Sequence, residues 1–141
     1  MQHQQFSQGA KKALSFAEEA AREMKNSFIG TEHLLLGILK IKDSSLNHFL
    51  KNSGVTYDRI REDIIVLFGF CDEKNSILEY TRTMEEIVET SILDAKMQGK
   101  KTVDLDILTI CLLQASNNVA VELLRRYDID VKKLIDQIKM E

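Results

Sequence analysis

Glu32 and His33 stand side by side in the stretch GTEHLLLGIL, residues 30 to 39, where a turn residue, a hydroxyl, a carboxylate and an imidazole precede a run of leucine and isoleucine broken by one glycine. Three chemistries use such a set: an acid–base or metal pair, an anion-binding helix end, or a plain helix cap. Consecutive side chains on a helix diverge by about 100°, so Glu32 and His33 cannot share an ion as a pair spaced four residues apart does. His33 precedes an apolar run and is expected to pack or to hydrogen-bond locally. His3 and His48 have no acid or cysteine at ligand spacing. Cys111, inside the apolar stretch from Ile107 to Leu113, reads as a small buried hydrophobe.

Other catalytic signatures are missing from the sequence. GKKT, residues 99 to 102, ends like a phosphate loop, but Asp94 stands where that loop needs its first glycine. No ExxH di-iron pair, no G-x-S-x-G elbow and no calcium-loop spacing of aspartates occurs. The expectation is a non-enzymatic protein with no catalytic residue, no metal and no cofactor.

The elements that would position Glu32 follow from composition and period. The 141 residues, 44% of them hydrophobic, are enough to bury a core, and one domain over 1–141 is expected. Nineteen basic residues are scattered among 22 acidic ones, for a net charge of −3, with no basic stripe for nucleic acid. The longest apolar run falls far short of the ~20 residues that span a bilayer, so no membrane partner is expected. Two cysteines without CxxC spacing and no secretory leader favour the reducing cytoplasm.

There is no proline, and apolar residues recur at steps of three and four, which predicts an all-α fold. Ser7 is expected to cap a first helix whose buried face carries Ala10, Ala13, Leu14, Ala17, Ala20, Ala21 and Met24 and which ends near Asn26. Thr31 is expected to cap a second helix to about Lys42, Asp43 or Ser44 a short third, and Thr56 a fourth ending at Gly69. Phe70 to Glu79 lacks a clean period and reads as part of a linker.

Shifting the chain by 74 positions aligns its halves without a gap, Phe6 on Tyr80 through Leu67 on Glu141, by chemical class more than by identity. Ile29 meets Val103, Leu34 meets Leu108, Ile60 meets Leu134 and Ile64 meets Ile138. The reading is two tandem four-helix repeats, 6–67 and 80–141, joined by a linker at 70–79, giving about eight helices in pseudo-twofold relation. Phe70 and Tyr80 are expected to pin the repeats together. The counterpart of Glu32 is Asp106, so an acid is kept at both equivalent helix starts.

With this duplication, FSQGAKKALSFAEEAA and NSFIGTEHLLLGIL make the chain resemble the amino-terminal domain of Clp/Hsp100 unfoldases, nearest the ClpC type. The first half matches the family pattern position for position, and the second diverges more. The resemblance implies a mobile appendage on a hexameric AAA+ ring that captures substrate and adaptor proteins for ATP-dependent proteolysis. The alternative is a stand-alone adaptor or regulator without a small-ligand pocket.

The resemblance further implies that the helix mouths hold phosphorylated arginine, one pocket per repeat. In the first, Ser7 would supply a hydroxyl, Ile29, Gly30 and Thr31 main-chain amides, and Glu32 the carboxylate for the guanidinium. The second would use Thr81, Val103, Asp104 and Asp106. Here Asp104 and Leu105 replace Gly30 and Thr31, and Glu85 and Glu86 replace Lys11 and Lys12, so the second pocket is expected to be weaker. A threonine cap followed by a first-turn acid also stabilises any helix by about 1 kcal/mol with no ligand at all.

Overall fold

The computed structural model describes residues 5–69 and 78–141. The expected positions His3, Phe70, Cys71 and most of the linker lie outside them. Among the described residues eight helices form in chain order: α1 (Gln8–Glu23), α2 (Thr31–Leu39), α3 (Ser45–Phe49), α4 (Tyr57–Phe68), α5 (Arg82–Met97), α6 (Leu105–Gln114), α7 (Val119–Arg125) and α8 (Val131–Lys139). The all-α expectation holds. α1 stops three residues before Asn26, and α2 stops at Leu39 rather than Lys42.

The second four helices start 74 positions after the first four: Gln8 with Arg82, Thr31 with Leu105, Ser45 with Val119, Tyr57 with Val131. The caps repeat as well. Ser7 and Thr81, Ser44 and Asn118, and Thr56 and Asp130 each accept a main-chain N–H from the first turn of their helix, which satisfies one of the donors a helix start leaves open.

α2 and α6 are apolar nearly all round and lie at the centre. α2 packs on α1, α4, α6 and α7. Its contact with α1 is unusually close, because the α1 face is built of alanines and Gly37 of α2 lies on it. A Cβ at Gly37 would run into the carbonyl oxygen of Ala13 and reach 3.0 Å from the amide nitrogen of Ala17. In the second half, Cys111 occupies the position of Gly37.

The helical period did not foretell the strands. β1 (Phe28–Ile29) and β2 (Glu79–Tyr80) pair in parallel, Phe28 opposite Glu79 and Ile29 opposite Tyr80. A single parallel bridge joins Phe6 to Val103. Under the 74-residue shift, Phe6 becomes Tyr80 and Val103 corresponds to Ile29, so the two pairings are one interaction made twice. Glu79 and Tyr80 therefore belong to this pairing, and Tyr80 joins the halves as expected.

Candidate functional site

Each pairing brings together two helix starts from opposite halves. The Thr81 amide donates to the Ile29 carbonyl at 3.1 Å, and the Ser7 amide donates to the Val103 carbonyl at 2.8 Å. Thr81 caps α5 and Ile29 leads into α2; Ser7 caps α1 and Val103 leads into α6. The expected sets are thus regrouped crosswise: Thr81 belongs with Ile29, Gly30, Thr31 and Glu32, and Ser7 with Val103, Asp104 and Asp106. Periodicity within a half cannot show this, because the exchange is made by main-chain hydrogen bonds between halves.

At the α2/α5 mouth the cap of α2 is Gly30, not Thr31. Gly30 has no side chain to accept from the first turn, and the sequence compensates at His33. The Gly30 N–H donates to His33 Nδ1 at 2.9 Å, and His33 Nε2 lies 2.7 Å from Asn26 Oδ1. An amide can only donate, so Nδ1 is unprotonated and the ring is neutral, with its proton on Nε2. The ring is buried, which pulls its pKa down to about 4. Glu32 Oε1, 3.9 Å from Nδ1, therefore forms no ion pair with it.

Thr31 does something else. Its buried hydroxyl accepts the N–H of Ala120 at 3.3 Å, fastening the start of α7 to the start of α2. Only its main-chain amide remains for the mouth. The Glu32 carboxylate folds back over Gly30, into the space a Cβ would fill there. Burial raises its pKa, opposed by a hydrogen bond from its own main-chain N–H.

At the α1/α6 mouth the logic is inverted. Asp104 caps α6 with its own side chain, Oδ1 accepting from the Ile107 N–H at 2.8 Å, while Lys100 Nζ lies 2.8 Å from Oδ2. Lys100 and Ile107 hold the positions of Asn26 and His33, so the same three positions make a neutral cap for α2 and a charged one for α6. Asp106 has its pKa raised by burial, against a hydrogen bond from Ser45, with Asp104 and Glu141 adding to the rise. The single Ser45 proton is shared with Glu141. Asp106 thus faces a more acidic setting than Glu32.

Cys111 is buried and its Sγ lies 3.3 Å from Asp94 Oδ2; burial pushes its thiol up to about 11. It is a packed thiol, as expected. Among the described residues no three His, Cys, Asp or Glu side chains converge as a metal ion needs, and no single helix is long and apolar enough to cross a membrane.

A duplicated all-helical domain whose halves exchange helix starts through main-chain pairing defines the class, and the Clp repeat N-terminal domain family matches residues 5–127. The chain belongs to this family. Among its relatives, the ATP-dependent Clp protease ATP-binding subunit ClpC of Staphylococcus epidermidis is 28% identical over 129 residues, and that of Staphylococcus aureus 27%. These alignments take in 92% of the chain but 16% of each relative, so the chain spans about a sixth of their length. The fold is similar to the N-terminal domain of ClpD from Arabidopsis thaliana, with a TM-score of 0.82 and 17% identity over 99% of this chain and 96% of that one. The Hsp104 N-terminal domain from Candida albicans follows at 0.81 and 16%, over 96% of this chain and 89% of that one.

Proposed function

We propose that this chain is the non-catalytic receptor domain of a ClpC-type AAA+ unfoldase in the cytoplasm, where it captures substrate and adaptor proteins, and that its α2/α5 mouth recognises arginine side chains bearing phosphate. One observation supports the reading: the Thr81–Ile29 hydrogen bond joins the start of α5 to the residue that leads into α2, next to Gly30, over which the Glu32 carboxylate lies. Amides at helix starts favour an anion, and a carboxylate favours a guanidinium. The Thr31 and Glu32 amides and Thr81 take the phosphate, and Glu32 swings off Gly30 onto the guanidinium. His33 keeps Gly30 in place without adding charge.

The α1/α6 mouth, with Ser7, Val103, Asp104 and Asp106, is the weaker site. Asp104 brings a fixed carboxylate to the position where the other mouth has a glycine, and Lys100 is already engaged with it. Titrating free phosphoarginine into the ¹⁵N-labelled chain tests the assignment. Amide shifts should appear first around Gly30 and Thr81 and vanish in Glu32→Ala; wild-type spectra that stay unmoved would remove the pocket.

A second reading, a docking module without a small ligand, is favoured by Leu67 and Phe68, which are exposed at the end of α4 beside a depression of about 270 Å³ lined also by Val119 and Leu123. Pull-down by the unfoldase ring or its adaptors that persists in Glu32→Ala would support it.

A further inference from the structure

The strand pairing at the α2/α5 mouth has an outer face. In extended backbone, residues two apart point the same way. Ile29 is 1% exposed and Phe28 52% exposed, so the side bearing Phe28 is the outer one. Gly30 continues β1 in extended conformation (φ −105°, ψ −178°), and Thr81 continues β2 (φ −63°, ψ 162°). With Phe28 opposite Glu79, the outer face presents Phe28 and Gly30 on one strand and Glu79 and Thr81 on the other. The Glu32 carboxylate, lying over Gly30, sits on this same face. Phe28 is a large apolar ring left in water on the same face as the Glu79 side chain and the Glu32 carboxylate. Such a surface has no use in the core.

A flat cation fits it. A guanidinium stacks on an aromatic face and donates from its edge to carboxylates in its own plane, whereas a lysine ammonium offers neither the plane nor the fork. We propose that Phe28 and Glu79 determine the specificity of this mouth, Phe28 as the stacking plane for the arginine guanidinium and Glu79 as a second carboxylate, with Glu32, along its edge. The inference rests on the receptor reading above and divides the ligand between two surfaces: phosphate on the helix-start amides, guanidinium on the strand face. At the α1/α6 mouth the same two strand positions hold Thr102 and Gln5, neither of them a ring or a carboxylate. Selectivity for arginine is therefore concentrated at one of the two mouths.

The test compares phosphoarginine with inorganic phosphate, which has no guanidinium, on the full chain and on Phe28→Leu, Phe28→Tyr and Glu79→Gln. In the wild type, the δ-methylene protons of phosphoarginine should move upfield on binding through the ring current of Phe28. Phe28→Leu keeps an apolar side chain but should abolish that shift and lower the preference for phosphoarginine over phosphate about three- to fivefold, the size of an exposed cation–π contact; Phe28→Tyr should restore both. Glu79→Gln should lower the same preference. If Phe28→Leu and Glu79→Gln bind both probes as the wild type does while Glu32→Ala does not, the strand face is not the guanidinium site and the receptor reading stands. If phosphoarginine moves no wild-type amide, both readings are overturned together.

Discussion

The Thr81 amide reaches across from the second half to donate to the Ile29 carbonyl at 3.1 Å, and the Ser7 amide returns the same bond to Val103 at 2.8 Å. Neither mouth exists within one half. A fragment of residues 1–69 keeps its helical pattern but exposes the apolar surround of α2 that α6 and α7 cover. It should give poorly dispersed amide spectra and no phosphoarginine shifts; a well-folded, binding fragment would overturn the crosswise assignment.

Gly37→Ala reverses a common expectation. In an exposed helix interior, alanine improves on glycine by about 1 kcal/mol. Here the new methyl meets the Ala13 carbonyl on α1, and separating the helices should destabilise the fold by about 1–3 kcal/mol. Urea unfolding monitored by circular dichroism gives the sign directly.

Thr31→Val should leave the Ala120 N–H without its acceptor. A buried donor without a partner costs about 1–3 kcal/mol, and Thr31→Ser, which keeps the hydroxyl, should recover most of that stability. Phosphoarginine affinity should change little in either variant, because the hydroxyl faces α7 rather than the mouth. A large loss of affinity at unchanged stability in Thr31→Val would instead give that hydroxyl to the ligand.

His33 makes stability depend on pH with a defined sign. Its pKa is pulled from 6.5 to about 4 by burial, so between those values the unfolded chain binds a proton that the folded chain refuses. The contribution is therefore complete above about pH 6.5 and is lost as the pH falls toward 4, by up to about 3 kcal/mol. Glu32 acts in the opposite sense, since burial raises its carboxyl. Urea midpoints of wild type and His33→Gln across pH 4 to 7 isolate the histidine: the variant should be less stable at pH 7 and should lose less on acidification. Parallel profiles would show that His33 is not held neutral.

Much of this architecture was legible in residue types. Steps of three and four placed the eight helices, and Ser7, Ser44 and Thr56 marked their starts because a short polar side chain at that point has an amide to accept. The 74-residue shift put Glu32 on Asp106. Gly30 as cap was not legible, since its compensating group lies three residues on, in a histidine that also resembles a packing residue.

What the sequence determined by itself is what local physics can fix: helix, cap and repeat, and an acid in the first turn of both α2 and α6. The tertiary structure alone decided which helix starts meet. Two-residue strands have no side-chain period, and their main-chain donors and acceptors are the same for every residue but proline. Only the packing of α2 and α6 into one core brings Ile29 to Thr81 and Val103 to Ser7. The same packing turns the Thr31 hydroxyl inward to Ala120, a contact 89 positions away that no local pattern encodes.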